Sequence, residues 1–199
     1  MAAEGFGGLY VDANAVSRGT VQLIENTVTR AGAAFVDGGI LGPPVEHGRT
    51  TLLCLSGARA PDVAALFVGS PLEPRLVGNS VGQASALKMA FAAWSKGSIA
   101  LLAAARALAQ AEGVGDALLD SWKRLSTEVV ERAERGVLSA APKAWRWVGE
   151  MHEIAASFES VGLPAGFHQS AAALYERLAA VGPEPQRMEE VLTQLLQAR

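Results

Sequence analysis

The sequence has little cysteine, few aromatic residues and no concentration of positive charge. Its single cysteine, Cys54, excludes an internal disulfide and favours a reducing compartment, which predicts a cytoplasmic protein. The 17 Lys and Arg are scattered among 20 Asp and Glu, and the net charge is -3. A surface that binds nucleic acid or an acidic membrane needs a basic patch. We therefore expect neither among the partners.

The sequence also lacks a long uncharged apolar run. The most apolar stretch, 84–109, is interrupted by Lys96 and Arg106, whereas a membrane-spanning helix needs about 20 mostly uncharged residues. The N-terminus has neither the basic start nor the apolar core of a signal peptide. With a hydrophobic fraction of 50%, these features predict a soluble globular protein with a buried helix in this stretch.

The pattern of the chain changes near residue 80. Before it, apolar runs bounded by turn residues predict strands at 9–12, from 35, at 50–55 and at 75–78, with helices at 18–32 and 61–68. After it, helical spacing predicts helices at 81–112, 115–135, 141–160, 165–181 and 184–198, with Gly136 among the residues that end them. The sequence therefore predicts an α/β portion over 1–80 and an all-helical domain over 81–199, connected by a long helix.

The first predicted strand, 10–12, has no earlier element with which to pair. One edge of the small sheet is therefore left uncovered, and uncovered edges are usually protected in folded proteins. We expect another subunit, or a further part of a longer chain, to cover it.

Four segments, in order along the chain, carry a family pattern: YVDANAVS (10–17), FVDGGILGPP (35–44), TTLLCLSG (50–57) and ASALKMAFAAWSKG (84–97). They resemble the superfamily of phosphogluconate dehydrogenases and β-hydroxyacid dehydrogenases. RWVGEMHEIAASF (146–158) and GLPAGFHQSAAALYERLA (162–179) resemble the helical C-terminal domain of one of its subfamilies. The resemblance implies that 1–80 is the C-terminal part of a Rossmann-like NAD(P)-binding domain. It also implies that 81–199 is a substrate and dimerisation domain.

The phosphate-binding loop of such enzymes, G-x-G-x-x-G after the first strand, has no counterpart here. Gly5-Phe6-Gly7-Gly8 precedes the strand and lacks the spacing. We therefore expect NAD or NADP to bind weakly or not at all to this chain alone. The resemblance implies the C-terminal portion of an NAD(P)-dependent oxidoreductase acting on a small hydroxy-acid or imine-like substrate. The alternative is a non-catalytic dimerisation or binding module that has lost the cofactor half.

Lys88 is the predicted catalytic residue. It lies in a helix that is apolar almost all round, and burial lowers the pKa of an ammonium, by about 3–5 units in extreme cases. A lowered pKa suits proton transfer near neutral pH. The resemblance implies that Lys88 exchanges the proton of the substrate hydroxyl while hydride moves at the adjacent carbon. The alternative is a lysine that extends to solvent at a domain rim.

Substrate contacts are predicted for the glycines at 38, 39 and 42 and for Lys96. Gly38, Gly39 and Gly42 can offer backbone N–H groups to a carboxylate or phosphate, although a tight turn explains them equally well. Lys96 lies about 80° round the helix from Lys88, with a solvated lysine as the alternative. The family has serine at the position of Leu41, and asparagine at that of Ala92. These departures weaken the case for a simple 2- or 3-hydroxy acid.

Asn14 and Ser17 follow a strand end, where open α/β sheets bind ligands, and are predicted to contact the nicotinamide side of the cofactor. Helix capping is the alternative for Ser17. Arg146 and Glu150, one turn apart, are expected to pair. The histidines show no metal-ligand spacing, so no metal site is predicted.

The helices after residue 80 carry more Ala, Leu and Trp than one small bundle needs. This excess predicts a homodimer formed through the helical domain.

Overall fold

A computed structural model describes residues 5–45, 49–180 and 187–197. The contacts of the chain separate it into two units, Met1–Phe91 and Ala92–Arg199. None of the helices in these described ranges is both long enough and apolar enough to cross a membrane.

The first unit is a small α/β structure. Its elements are β1 (Leu9–Asp12), α1 (Arg18–Arg30), β2 (Ala34–Leu41), β3 (Thr51–Ser56), α2 (Ala60–Leu66), β4 (Leu72–Gly78) and the beginning of α3 (Gln83–Ala111). The four strands form one sheet in the order β1-β2-β3-β4. β1 and β2 are parallel, β2 and β3 antiparallel, and β3 and β4 parallel.

Alternating residues of this sheet form two apolar layers, as the period of a β-strand requires. On one face, Val36, Leu53 and Leu55 pack with two residues of α2, Ala60 and Val63. On the other face, Leu41 and Cys54 pack with Ala84 of α3. The strand register also aligns Asp12 with Asp37 and Asp37 with Ser56, so three polar residues form a row across the sheet.

The second unit consists of helices. After α3 come α4 (Gly115–Leu125), α5 (Thr127–Ala140), a short 3₁₀ turn (Ala141–Lys143), α6 (Ala144–Ser160), α7 (Gly166–Ala179) and α8 (Met188–Gln197). Fully buried side chains from α5 to α8 form its core: Val137, Met151, Ile154, Tyr175, Leu178 and Val191. The Tyr175 hydroxyl donates to the carbonyl of Lys96 (2.6 Å), which attaches α7 to α3.

The predicted fold class, an α/β portion followed by a helical domain with a long connecting helix, is confirmed. One predicted helix, 115–135, is wrong, because the structure has two helices that meet at Ser126 in an extended conformation (φ -160°). Gly136, expected to end a helix, lies within α5. A β-carbon there would be 3.2 Å from the Ile99 side chain, so this glycine allows α5 to pack closely on α3.

Candidate active site

A buried carboxylate, that of Asp37 in β2, connects the sheet to the start of α3. Its Oδ2 accepts hydrogen bonds from the Ser56 hydroxyl (2.8 Å) and from the backbone N–H groups of Gly82 (2.9 Å) and Ser85 (3.1 Å). Its Oδ1 accepts from the Ser85 hydroxyl at 2.6 Å. The first N–H groups of a helix have no partner within the helix, and a negative charge near them is favourable. Asp37 therefore anchors the first turn of α3.

Lys88 lies one turn further along α3 and contacts the same strand, β2. Its Nζ donates to the Ile40 carbonyl of β2 at 2.5 Å. A β-carbon at Gly39 would be only 3.2 Å from the β-carbon of Lys88 and 3.1 Å from the Ala84 carbonyl oxygen, so α3 packs directly on the strand backbone. Lys88 is half-buried, and burial lowers the pKa of its ammonium below the ordinary lysine value. The amine thus lies against the glycine-containing segment of β2.

The predicted substrate-binding glycines have two different environments. Gly38 and Gly39 lie within β2, where they pair with Leu55 and Cys54 of β3. Gly42 follows the strand with a φ of 113°, and a β-carbon there would be 2.9 Å from the Thr50 carbonyl oxygen. Of the three glycines, only Gly42 therefore lies in a tight turn. Substrate contact by the three glycines stays a prediction.

The two residues predicted to bind the cofactor have partners within the chain. The Asn14 amide donates to Asp12 Oδ1 at 2.5 Å. The Ser17 hydroxyl accepts from the Thr20 N–H at 3.3 Å and caps α1, so the capping alternative for Ser17 is confirmed. Contact of either residue with a nicotinamide stays a prediction.

Asp12 itself is a buried acid that the sequence did not single out. Its Oδ2 has no hydrogen-bond partner among the described residues. Burial raises the pKa of Asp12 and the neighbouring carboxylate of Asp37 adds to the effect, while the hydrogen bond from Asn14 opposes it. A raised pKa favours the protonated acid, which carries an O–H donor.

Lys96 belongs to the second unit and forms an ion pair with Glu150 of α6. Only 15% of its side chain is exposed, and its Nζ lies 5.1 Å from the centre of the Trp147 ring. The alternative of a solvated lysine is therefore wrong. The expected pairing of Arg146 with Glu150 is also wrong, because Glu150 contacts Lys96 instead and the Arg146 guanidinium lies over the Trp145 ring.

The network of Asp37, Ser56 and Ser85 was missed by the sequence reasoning. A signal for it existed, since an acid directly after the apolar pair Phe35-Val36 is costly to bury without partners. Its partners, however, lie in β3 and at the start of α3, distant in sequence.

Cys54 is buried, as predicted, and burial raises the pKa of its thiol. Within the described ranges, no group of three or more His, Cys, Asp or Glu side chains is arranged to hold a metal ion.

Comparison with known proteins adds a domain match and several similar structures. Residues 109–178 match the model of a family described as a domain of unknown function, DUF1932. No curated protein matches the sequence. A conserved hypothetical protein from Sinorhizobium meliloti is 26% identical over 94% of this chain, with a TM-score of 0.73.

Two further structures share the fold at lower identity. The conserved protein MTH1747, described as structurally similar to 3-hydroxyacid dehydrogenases, is 23% identical over 98% of this chain, with a TM-score of 0.70. A 3-hydroxyisobutyrate dehydrogenase from Salmonella typhimurium is 16% identical over 93%, with a TM-score of 0.60.

The chain spans 65% of the Sinorhizobium protein, 71% of MTH1747 and 68% of the Salmonella enzyme, about two thirds of each. The matched domain covers the region from the end of α3 into α7. These findings confirm the resemblance drawn from the sequence at the level of the fold: residues 109–178 match the DUF1932 model, and the chain shares the fold of MTH1747 and of the Salmonella 3-hydroxyisobutyrate dehydrogenase.

Proposed function

We propose that this chain forms the proton-transfer part of an NAD(P)-dependent oxidoreductase acting on a small hydroxy-acid or imine-like substrate. The observation that carries the proposal is the Lys88 amine, half-buried, with a lowered pKa, and bonded to the Ile40 carbonyl. The superfamily fold supports it. The dinucleotide would supply or accept a hydride.

Lys88 would move the proton. When a substrate hydroxyl is oxidised, the neutral Nζ accepts the hydroxyl proton, and in the reverse direction the ammonium returns it. A catalytic group works best when its pKa is close to the working pH, and burial shifts Lys88 in that direction. The Ile40 carbonyl accepts a hydrogen bond from the amine and so orients it.

The residues present do not by themselves fit a dinucleotide. Ser17 caps α1 and the Asn14 amide is bonded to Asp12, and the sequence has no glycine-rich phosphate loop. We therefore propose that the active unit includes a dinucleotide-binding portion besides these 199 residues.

Two features of the first unit support an additional portion. Among the described strands, β1 pairs only with β2. An apolar cleft of about 390 Å³ lies beside it, with Phe6, Tyr10, Leu23, Ile24 and Val28 among its lining residues. An unpaired strand edge next to an apolar cleft is a surface that another element can cover.

Titration of the purified chain with NADPH, followed by nucleotide fluorescence, is expected to show no binding in the micromolar range. A complete NADP-dependent dehydrogenase, titrated in the same way, serves as the control. Micromolar affinity of this chain alone would contradict the need for a second portion.

Joining the chain to a dinucleotide-binding domain of the hydroxyacid dehydrogenase type tests the activity itself. NADPH oxidation is then measured with a panel of small oxo acids and imines. Turnover that requires this chain supports the proposed enzyme. No turnover with a joined protein that binds NADPH would contradict it and favour the non-catalytic alternative.

We also propose that the second unit forms a homodimer. The non-catalytic alternative includes the same homodimer. Trp94, Leu101 and Leu108 recur every two turns on one face of α3, and 69%, 57% and 63% of their surfaces are exposed. A stripe of this kind is typical of a helix that packs against another helix.

Sedimentation velocity is expected to give about twice the chain mass of 20.7 kDa. Leu101→Glu should shift the protein to the monomer, because it places a charge in the centre of the stripe. Leu66→Glu, at an exposed leucine of the first unit, is the matched control. A wild-type monomer at high micromolar concentration would argue against the dimer.

A further inference from the structure

Asp37 takes no part in the proposed proton transfer, yet it is fully buried. A buried carboxylate is strongly unfavourable unless its lone pairs accept hydrogen bonds. Both oxygens of Asp37 are satisfied, by Ser56 from the sheet and by Gly82 and Ser85 from the start of α3. The charge therefore has structural partners on two elements at once.

The contacts of Asp37 and of Lys88 join the same strand to the same helix face. Asp37 and Gly39 are two positions apart on β2 and point to one side of the sheet. Ser85 and Lys88 are one turn apart on α3 and lie on one side of the helix. Asp37 bonds Ser85, and Gly39 packs against Lys88. The Asp37–Ser85 contact therefore fixes where α3 lies on β2, and with it the position of Lys88 beside Gly39.

We propose that Asp37 is a positioning residue, whose carboxylate clamps the first turn of α3 and thereby holds the Lys88 amine at the Ile40 carbonyl. Ser85 is its partner on the helix. Ser56 reinforces the clamp, since its hydroxyl donates to Asp37 and accepts from the Ala84 N–H at 2.9 Å. The catalytic meaning of this role rests on the proposed function of Lys88.

Loss of Asp37 would change the pKa of Lys88 in opposite directions, depending on whether its charge or its clamping contact matters more. Loss of a nearby anion would lower the pKa of an ammonium, whereas release of the amine into water would raise it. The other titratable groups concerned are Cys54 of β3, which interacts with Lys88, Arg75 of β4, which interacts with Cys54, and Asp12 of β1, which interacts with Asp37.

The test measures the pH dependence of Lys88 acylation in the whole chain, with an amine-reactive ester and peptide mass spectrometry. The midpoint for Lys88 should move up by about 0.5 pH unit or more in Asp37→Asn and in Ser85→Ala. Ser85→Thr keeps the hydroxyl and should retain the wild-type midpoint. Ser80→Ala, just before α3 and outside the clamp, is the matched control and should also be unchanged.

Circular dichroism shows whether each variant is folded. If Asp37→Asn does not fold, the acylation midpoint of Ser85→Ala alone decides the test. A folded Ser85→Ala with an unchanged or lower midpoint would overturn the positioning role. A lower midpoint in folded Asp37→Asn would overturn it in favour of a direct charge effect. Acylation requires neither cofactor nor substrate, so failure here is distinguishable from failure of the proposed enzyme activity.

Discussion

Lys88→Ala is expected to reduce turnover about 10²- to 10⁴-fold in the proposed enzyme, assayed with the chain joined to a dinucleotide-binding domain, the range typical of a lost general acid/base. The fold should survive, because the amine is half-buried and contributes a single hydrogen bond to a backbone carbonyl. Steady-state kinetics and urea denaturation of the same preparations measure the two effects separately.

The pH dependence provides a second readout for Lys88. Oxidation of a hydroxyl needs the neutral amine, so the wild-type rate should rise with pH and level off above the lowered pKa of Lys88. Lys88→Arg keeps the charge but holds its proton across this range, and should be almost as inactive as the alanine variant. Lys123→Ala, at an exposed lysine of α4, is the control. Near-normal turnover of Lys88→Ala would exclude Lys88 as the acid/base.

Lys96→Met is expected to lower the free energy of unfolding by about 2–3 kcal/mol, somewhat less than for a completely buried pair. The side chains of Lys96 and Glu150 are only 15% and 20% exposed. Removing the ammonium leaves the Glu150 carboxylate in this environment without its ion-pair partner. Urea denaturation, with the slope compared between variants, measures the change.

A second substitution separates a structural role of Lys96 from substrate binding. Lys96→Met combined with Glu150→Gln should recover most of the lost stability, since the charge without a partner is removed. Arg124→Met breaks the exposed pair with Asp120 and should cost under about 0.5 kcal/mol. If Lys96→Met were as mild as Arg124→Met but raised KM, the predicted substrate-binding role would be favoured instead.

Local patterns were sufficient for the elements and the fold class. Apolar runs bounded by turn residues predicted the four strands, and helical spacing predicted α1, α2, α3 and the later helices, apart from the break between α4 and α5 at Ser126. Gly136 shows where such reasoning fails. A glycine that ends a helix and a glycine that lets two helices approach are identical in sequence, and only the neighbouring Ile99 distinguishes them.

The candidate site was predictable only in part. Lys88 was singled out because one charge stands in an apolar helix and because the segment 84–97 resembles the family's lysine-bearing segment. The contacts of Asp37 were not predicted, because Ser56 and Ser85 reach that carboxylate through strand register and helix docking, which spacing along the chain does not encode. The solvated alternative for Lys96 was wrong for the same reason, since its partner Glu150 comes from another helix.

The contact at Gly39 has a consequence for how the protein can evolve. The atoms that a side chain at this position would meet are a backbone oxygen of Ala84 and the β-carbon of Lys88. Every amino acid has the backbone oxygen, so no substitution at position 84 removes the first contact. Every amino acid except glycine has the β-carbon, so only glycine at position 88 removes the second contact, and that substitution also removes the amine. Suppressors that keep the lysine are therefore expected at other positions, where a substitution lets α3 move by the few tenths of an ångström that a β-carbon at Gly39 requires.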